Sequence, residues 1–195
     1  MNYSITAKNL SFSYGSNEVF KGVDFAIPER AFAAVIGDNG SGKSTLLTVL
    51  ANIIRPEGEL VTVGKVAYLP QENALVEELT FNDNLKYFAS LAGVKVPSEL
   101  PLGADGLRKI KIKKMSGGMK KLCSIVCTML SDADIYILDE PCAALDKEHR
   151  EMLRDFLSEL KSKGKTIVYA AHNEEEYAGI SDLVLHIENG QVSIK

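Results

Sequence analysis

A glycine-rich stretch near residue 40 constrains the fold of this 195-residue chain more than any other feature. It reads Gly37-Asp38-Asn39-Gly40-Ser41-Gly42-Lys43-Ser44-Thr45 and directly follows an apolar run over residues 31–36. Residues 44–54 then carry the apolar spacing of a helix. A strand, a glycine-rich turn and a helix in this order predict a loop that wraps around phosphate groups.

The chemistry of phosphate binding explains the spacing of this loop. Glycines let successive backbone N–H groups point inward, and the start of the helix adds its positive end. Lys43 can reach the β- and γ-phosphates of a nucleotide, and the Ser44 hydroxyl can ligate Mg²⁺. The simpler alternative is a glycine-rich turn that contains Lys-Ser by chance. The candidate nucleotide-binding residues are Gly37, Asn39, Gly40, Ser41, Gly42, Lys43, Ser44 and Thr45.

The whole-chain composition excludes several classes of protein. A net charge of -4 argues against non-specific binding to nucleic acid, which depends on Lys and Arg. The three cysteines, an odd number, indicate reduced thiols in a cytosolic compartment. The first ten residues lack a secretory signal, and no apolar run approaches the roughly 20 residues of a membrane span. We expect any membrane pore to come from another chain.

The order of the patterns predicts an α/β fold. Alternating residues on both sides of a turn at 14–17 predict antiparallel strands, and a hairpin is expected to turn at Asn189-Gly190. Buried strands that alternate with helices imply a parallel sheet covered on both faces. The buried strands are predicted at 31–36, 65–69, 135–138 and 166–171, and the helices at 44–54, 80–92, 118–130 and 147–161. We therefore predict a P-loop NTPase core with a mainly parallel sheet, an N-terminal antiparallel β lobe and a short helical insertion at about 73–130, all within one domain over 1–195.

The helix at 80–92 has clear signals at both ends. Thr80 can cap its start with Asp83 three residues on, and Gly93 is a natural stop. Its predicted apolar face consists of Phe81, Leu85, Phe88 and Leu91. Residues 94–115 give no clear prediction.

Two acidic residues end the apolar strand at 135–138. Parallel strands deliver their carboxyl ends to the ligand crevice, so Asp139 and Glu140 should lie beside the glycine-rich loop. Asp139 can hold Mg²⁺, and Glu140 can polarise the water that attacks the γ-phosphate. For one strand alone, acidic residues at a strand end are equally well explained as ordinary solvated positions.

The stretch Met115-Ser116-Gly117-Gly118-Met119-Lys120-Lys121 resembles the LSGGQ signature of ABC ATPases. Four further matches occur in family order. Tyr14 matches the aromatic residue that stacks on adenine, Gln71 the Q-loop glutamine, residues 144–146 the D-loop, and His172 the switch histidine. Together with the glycine-rich loop and the paired acids, these matches span most of the chain.

Each of these matches also has a plainer interpretation. Ser116 is an ordinary N-cap candidate, and so is Asp146 before the next helix. Tyr14 can simply pack in the β lobe, Gln71 can be a loop residue, and His172 a polar residue at a strand end.

The resemblance implies a set of roles. Two copies, or this chain and a close relative, would close head to tail around two MgATP, with Ser116, Gly117 and Gly118 of one copy facing the γ-phosphate bound by the other. Glu140, His172, Lys43 and Gln71 would serve catalysis, and Ser44, Gln71 and Asp139 would hold Mg²⁺.

The signature departs from the family pattern, with Met115 for leucine and Met119 for glutamine. Such SGGMK-type signatures resemble a subgroup that serves exporters with separately encoded membrane subunits. The spans 58–71 and 94–114 are shorter than is typical, and the second shortening trims the helical lobe that docks on membrane subunits. No regulatory domain is expected after the last hairpin.

The resulting hypothesis is the ATPase subunit of an ABC transporter, most plausibly an exporter, on the inner face of the cell membrane. The alternatives are a mechanical ABC ATPase in DNA repair or on ribosomes, and a regulatory module that does not hydrolyse ATP. No nucleic acid partner is expected, and the cargo cannot be read from an ATPase fold. Cys123 and Cys127 are interpreted as buried apolar residues, and the basic run at 108–114 as a solvated face or a contact with nucleotide or partner.

Overall fold

The computed structural model describes residues 2–195 and contains two sheets. The smaller sheet is antiparallel, with strand order β2-β1-β4. It consists of β1 (Tyr3–Tyr14), β2 (Asn17–Pro28) and β4 (Glu57–Thr62). The first two strands confirm the predicted antiparallel lobe and its turn. The sequence does not predict β4, because this strand is largely exposed and lacks a buried apolar face.

The larger sheet has the order β5-β6-β7-β3-β8-β9. Its first five strands run parallel, and β9 pairs antiparallel with β8 in the predicted terminal hairpin. The strands are β3 (Phe32–Gly37), β5 (Val66–Leu69), β6 (Ile135–Asp139), β7 (Thr166–Ala170), β8 (Leu183–Glu188) and β9 (Gln191–Ile194). The mainly parallel α/β sheet is confirmed.

Four α-helices surround this sheet. They are α1 (Lys43–Leu50), α2 (Phe81–Ala92), α3 (Gly117–Met129) and α4 (Lys147–Ser162). Two short 3₁₀ helices, Pro101–Leu107 and Ile112–Lys114, lie in the stretch that gave no clear prediction. Within residues 2–195, no helix is both long enough and apolar enough to span a membrane.

Alternate residues of the central strands face two separate cores, as a strand's period of two requires. Ile135 and Ile137 of β6 pack with α1 and the antiparallel sheet. Tyr136 and Leu138 pack on the opposite face against residues of α2, α3 and α4. The main sheet is therefore the middle layer of three. Cys123 and Cys127 belong to the helical side, and burial raises the pKa of both thiols to about 12, which agrees with their interpretation as apolar residues.

Two predicted helical features are wrong in detail. The first helix ends at Leu50 rather than residue 54, because Asn52 adopts a left-handed φ of 57° and Pro56 follows shortly after. In α2, Leu91 is 69% exposed, whereas the polar Asn84 is fully buried. The predicted cap is confirmed, since the Thr80 side chain accepts a hydrogen bond from the backbone N–H of Asp83.

Candidate nucleotide site

The carboxyl ends of β3, β5, β6 and β7 bring the predicted site residues together. Leu69 of β5 lies opposite Leu138 of β6, so the two chains continue in step to Gln71 and Glu140. Asp139 lies opposite Ala170 of β7, two residues before His172. β3 lies on the other side of β7 and leads directly into the glycine-rich loop. The register of the parallel sheet therefore brings four separate segments together at one edge.

The glycine-rich loop ends at Gly42, which caps α1. Gly42 has a left-handed φ of 104°, and a Cβ added there would lie 2.7 Å from Cγ1 of Val19. Only glycine fits this position without strain. The next residue, Lys43, is buried, with 5% of its surface exposed. Its Nζ donates hydrogen bonds to the carbonyl oxygens of Gly37 at 2.8 Å and Asp38 at 3.1 Å. The ammonium group is therefore fixed inside the curve of the loop.

A cavity of about 440 Å³ lies at this edge of the sheet. Backbone and side chains of the loop line one side, and the ends of β5, β6 and β7 line the other. The lining residues are Asn39, Gly40, Gly42, Lys43, Ser44, Thr45, Gln71, Glu140 and His172. Nine residues that the sequence singled out thus surround one space, and its wall combines N–H donors, an ammonium group and a carboxylate.

Glu140 is the polar centre of this cavity. Its Oε2 accepts a 2.9 Å hydrogen bond from Nε2 of Gln71 and lies 2.8 Å from Nε2 of His172. The residue adopts a left-handed φ of 48°, which costs a non-glycine residue of order 1–3 kcal/mol and is typical of functional sites. The hydrogen bond from Gln71, the adjacent imidazole of His172 and a strained backbone hold this carboxylate in one orientation.

Asp139 lies deeper than Glu140 and is 1% exposed. Burial raises the pKa of its carboxyl, the hydrogen bond from the Ser44 hydroxyl opposes that shift, and the neighbouring Glu140 adds to it. Among the described residues, its Oδ1 has no hydrogen-bond partner. A buried carboxylate oxygen with free lone pairs beside a hydroxyl suits Mg²⁺, which prefers oxygen ligands. The residues present therefore fit the metal that the sequence predicts.

Tyr14 and Ser116 lie outside the lining of the cavity. Tyr14 ends β1 with 56% of its surface exposed, and its ring meets Phe12 edge-on at 4.9 Å. Ser116 caps α3 by accepting a 3.3 Å hydrogen bond from the backbone N–H of Met119. The plainer interpretation of Ser116 as an N-cap is therefore correct, and the residue is also exposed at the helix tip.

The other signature and D-loop residues pack against each other. A Cβ added to Gly118 would lie only 2.5 Å from the carbonyl oxygen of Ala144, so α3 approaches this loop closely because residue 118 is glycine. Asp146 caps α4 by accepting from the backbone N–H of His149 at 2.9 Å. The hydrogen bond from that N–H is also the main cause of the lowered pKa of Asp146.

The sequence does not predict a role for Lys121. This lysine of α3 is 4% exposed, and its Nζ donates a 3.0 Å hydrogen bond to the backbone oxygen of Gln71. Lys120 and Lys121 are adjacent lysines, and only the helix face that each one occupies distinguishes the buried Lys121 from its neighbour. The sequence signal for a buried lysine here is therefore weak.

A phosphate loop at the strand ends of a parallel sheet, beside paired carboxylates, defines a domain that binds and hydrolyses nucleoside triphosphates. The model of the family described as "ABC transporter" matches residues 20–143. An uncharacterised ABC transporter ATP-binding protein of Methanocaldococcus jannaschii is 35% identical over 98% of this chain and 76% of its own length. The chain belongs to the ABC transporter family, as a Mg²⁺-dependent ATPase domain of its ATP-binding subunits.

Two further similarities agree with this assignment. A linearmycin resistance ATP-binding protein of Bacillus subtilis is 26% identical over 96% of this chain and 67% of its own length. A solved structure of an ATP-binding subunit of an ABC transporter superposes with a TM-score of 0.88 at 29% identity, covering 98% of this chain and 89% of that one. ATP-binding subunits of this family dimerise and pair with transmembrane subunits.

Proposed function

We propose that this chain energises an exporter by closing, as a head-to-tail pair, around two molecules of MgATP on the inner face of the cell membrane. The observation that carries the proposal is the split arrangement of the candidate residues. Lys43, Glu140 and His172 line one cavity, whereas the exposed tip of α3 at Ser116 lies outside it. A second copy provides the missing wall if its own Ser116 faces this cavity.

The cavity supplies each group that phosphoryl transfer to water requires. Lys43 and the loop N–H groups bind the β- and γ-phosphates, and the exposed ring of Tyr14 stacks on adenine. Glu140 accepts a hydrogen bond from the attacking water and takes its proton, while His172 donates to the γ-phosphate. The bond to the leaving oxygen of ADP breaks as water attacks, which yields ADP and inorganic phosphate.

Three oxygen-bearing side chains would hold the metal, namely Ser44, Gln71 and Asp139. When bound, Mg²⁺ supplies positive charge that neutralises the β- and γ-phosphates. Burial raises the pKa of Asp139, and Ser44, Lys121 and Lys43 oppose that rise and so favour the ionised form that would hold the metal. The ligand set is thus preorganised by contacts within this chain.

The proposed direction of transport is export. The SGGMK-type signature supports it, and so does the resemblance to a protein named for linearmycin resistance, since expelling a toxic compound is one route to resistance. The membrane subunit is a separate chain in this proposal, and it docks on the short helical lobe around α2. Val76, Tyr87 and Leu91 expose apolar surface on that lobe.

Trapping the pair tests the proposal directly. We expect the Glu140→Gln variant to form a dimer with MgATP, seen by light scattering, and to stay monomeric with ADP. Adding Ser116→Glu should abolish the dimer without weakening ATP binding to the monomer, because the new carboxylate opposes the partner's γ-phosphate. A dimer that persists in the double variant would contradict the sandwich. Vesicles with the co-purified membrane subunit would then report whether cargo leaves or enters the ATP-containing side.

A further inference from the structure

The buried charges of the described chain form a balanced group around the nucleotide site. Within residues 2–195, the buried charged side chains are Lys43, Lys121, Asp139 and Glu140. Two ammonium groups therefore face two carboxylates inside the protein. Lys43 belongs to the phosphate loop, Asp139 ends β6 and Glu140 follows it. Lys121 is the member that has no contact with the nucleotide in the proposed hydrolysis.

The contacts of Lys121 connect it to the catalytic carboxylate through one residue. Its Nζ donates to the backbone oxygen of Gln71 at 3.0 Å and lies 3.5 Å from that of Pro70. The side-chain amide of the same Gln71 donates to Oε2 of Glu140 at 2.9 Å. Lys121 therefore holds the main chain of the residue whose side chain holds Glu140.

Electrostatics fixes the ammonium group in this position. Burial lowers the pKa of Lys121, and the charges of Asp139 and Glu140 act against that shift. An isolated buried charge is costly, and loss of one partner of a buried set leaves the others uncompensated. The two carboxylates therefore stabilise the ammonium beside Gln71, and the ammonium in turn stabilises them.

The same lysine belongs to the helix that carries the signature tip. Lys121 lies five residues after Ser116, which is about 7.5 Å along a rigid α-helix. Ser116 is exposed at the helix tip, whereas Lys121 is inserted behind the cavity of its own chain. Ser116 and Lys121 therefore belong to the same first turns of α3, and the Lys121 contact joins this part of the helix to Gln71.

We propose that Lys121 is a positioning residue that holds Gln71 against Glu140 and thereby joins the Ser116 end of α3 to the hydrolytic carboxylate of the same chain. This inference rests on the proposed function, in which Ser116 contacts the nucleotide of the partner copy. Contact of Ser116 with the partner's nucleotide then aligns Gln71 and Glu140 around the nucleotide bound by this chain. Lys121 touches neither nucleotide in this proposal, so its effect is on turnover rather than on ATP affinity.

Substitution of Lys121 tests the proposal. We expect Lys121→Met, which keeps the aliphatic stem, to lower kcat about tenfold or more, because small misplacements of catalytic groups are costly. The dissociation constant for MgATP should stay within about threefold of wild type, since a residue remote from the nucleotide alters turnover rather than ground-state binding. Lys121→Arg, which keeps a charged donor, should restore most of the lost turnover.

A lysine at the opposite end of the sheet provides the matched control. Lys165 immediately precedes β7, is partly buried and pairs with the exposed Asp132 at 2.6 Å. Lys165→Met also removes a hydrogen-bonded ammonium group, and kcat should stay within about twofold of wild type because the site is remote. If Lys121→Met does not fold, Lys121→Gln replaces it with the same expected results.

A double-mutant comparison separates positioning from general damage. If Lys121 acts through the Gln71 side chain, Lys121→Met should slow the Gln71→Ala variant by less than about threefold. The proposal is wrong if Lys121→Met keeps wild-type kcat, if Lys121→Arg fails to rescue it, or if the full loss persists in the Gln71→Ala background. Each of these results requires that the unmodified protein hydrolyses MgATP. Absence of that hydrolysis would instead overturn the proposed function.

Discussion

The side-chain amide of Gln71 donates a 2.9 Å hydrogen bond to Oε2 of Glu140. The two residues are 69 positions apart, and the parallel pairing of β5 with β6 brings them side by side. The same oxygen lies 2.8 Å from Nε2 of His172, which follows β7. One carboxylate oxygen therefore meets side chains that follow β5 and β7, the strands on either side of β6, and changes at any of the three residues should affect turnover together.

Replacing the Glu140 carboxylate should stop hydrolysis and spare binding. Glu140→Gln keeps the shape of the side chain but removes the base, so we expect kcat to fall about 100-fold or more. The dissociation constant for MgATP should change little. Phosphate release and a nucleotide titration measure the two quantities. Glu159→Gln, on α4 and paired with Lys163, is the matched control and should retain full turnover. Near-normal turnover in Glu140→Gln would show that another group activates the water.

Removal of the His172 ring should also reduce turnover. His172→Ala removes the imidazole that lies against Glu140 and, in the proposed mechanism, a donor to the γ-phosphate. We expect kcat to fall about tenfold to 100-fold. His186→Ala, on β8 and outside the cavity lining, serves as the control and should remain within about threefold of wild type. Equal losses in both variants would indicate general destabilisation rather than a role at the site.

Much of the fold follows from the sequence because burial leaves periodic patterns. The strand at 135–138 is apolar on both faces, and the glycine-rich loop has a spacing that phosphate binding demands. The contact between Gln71 and Glu140 could not be predicted from local pattern, since it depends on which strands pair and in what register. Lys121 could not be identified for a related reason, since nothing in the local sequence distinguishes a buried lysine from an exposed one.

Gly118 tests why the signature needs glycine at that position. An added methyl group would lie 2.5 Å from the carbonyl oxygen of Ala144, so Gly118→Ala should destabilise the fold by about 1–3 kcal/mol through overpacking. At Gly117 the nearest atom would be Cβ of Ala144 at an ordinary 3.8 Å. Gly117→Ala should therefore be neutral, or more stable by up to about 1 kcal/mol. Urea denaturation of both variants measures the difference, and similar losses of stability would refute the close approach of α3 to this loop.

The helical lobe depends on a polar residue that its apolar pattern did not reveal. Asn84 is fully buried, its Oδ1 accepts from the backbone N–H of Val76, and its Nδ2 donates to the backbone oxygens of Val76 and Thr80. Asn84 thereby ties α2 to the segment that precedes it. Asn84→Ala leaves backbone groups of Val76 without these partners, so we expect a loss of about 1–3 kcal/mol in the free energy of unfolding.

Leu91 on the same helix provides the contrast. It was predicted to lie on the apolar face but is 69% exposed, so Leu91→Ala should change the free energy of unfolding by less than about 0.5 kcal/mol. Denaturant midpoints at equal m-values measure both variants. The opposite ranking, with Leu91→Ala costly and Asn84→Ala neutral, would restore the amphipathic arrangement that the sequence predicts and contradict the orientation of α2. The expected ranking instead means that the Asn84 amide stabilises this shortened lobe in addition to Phe81 and Leu85, which are fully buried in the core.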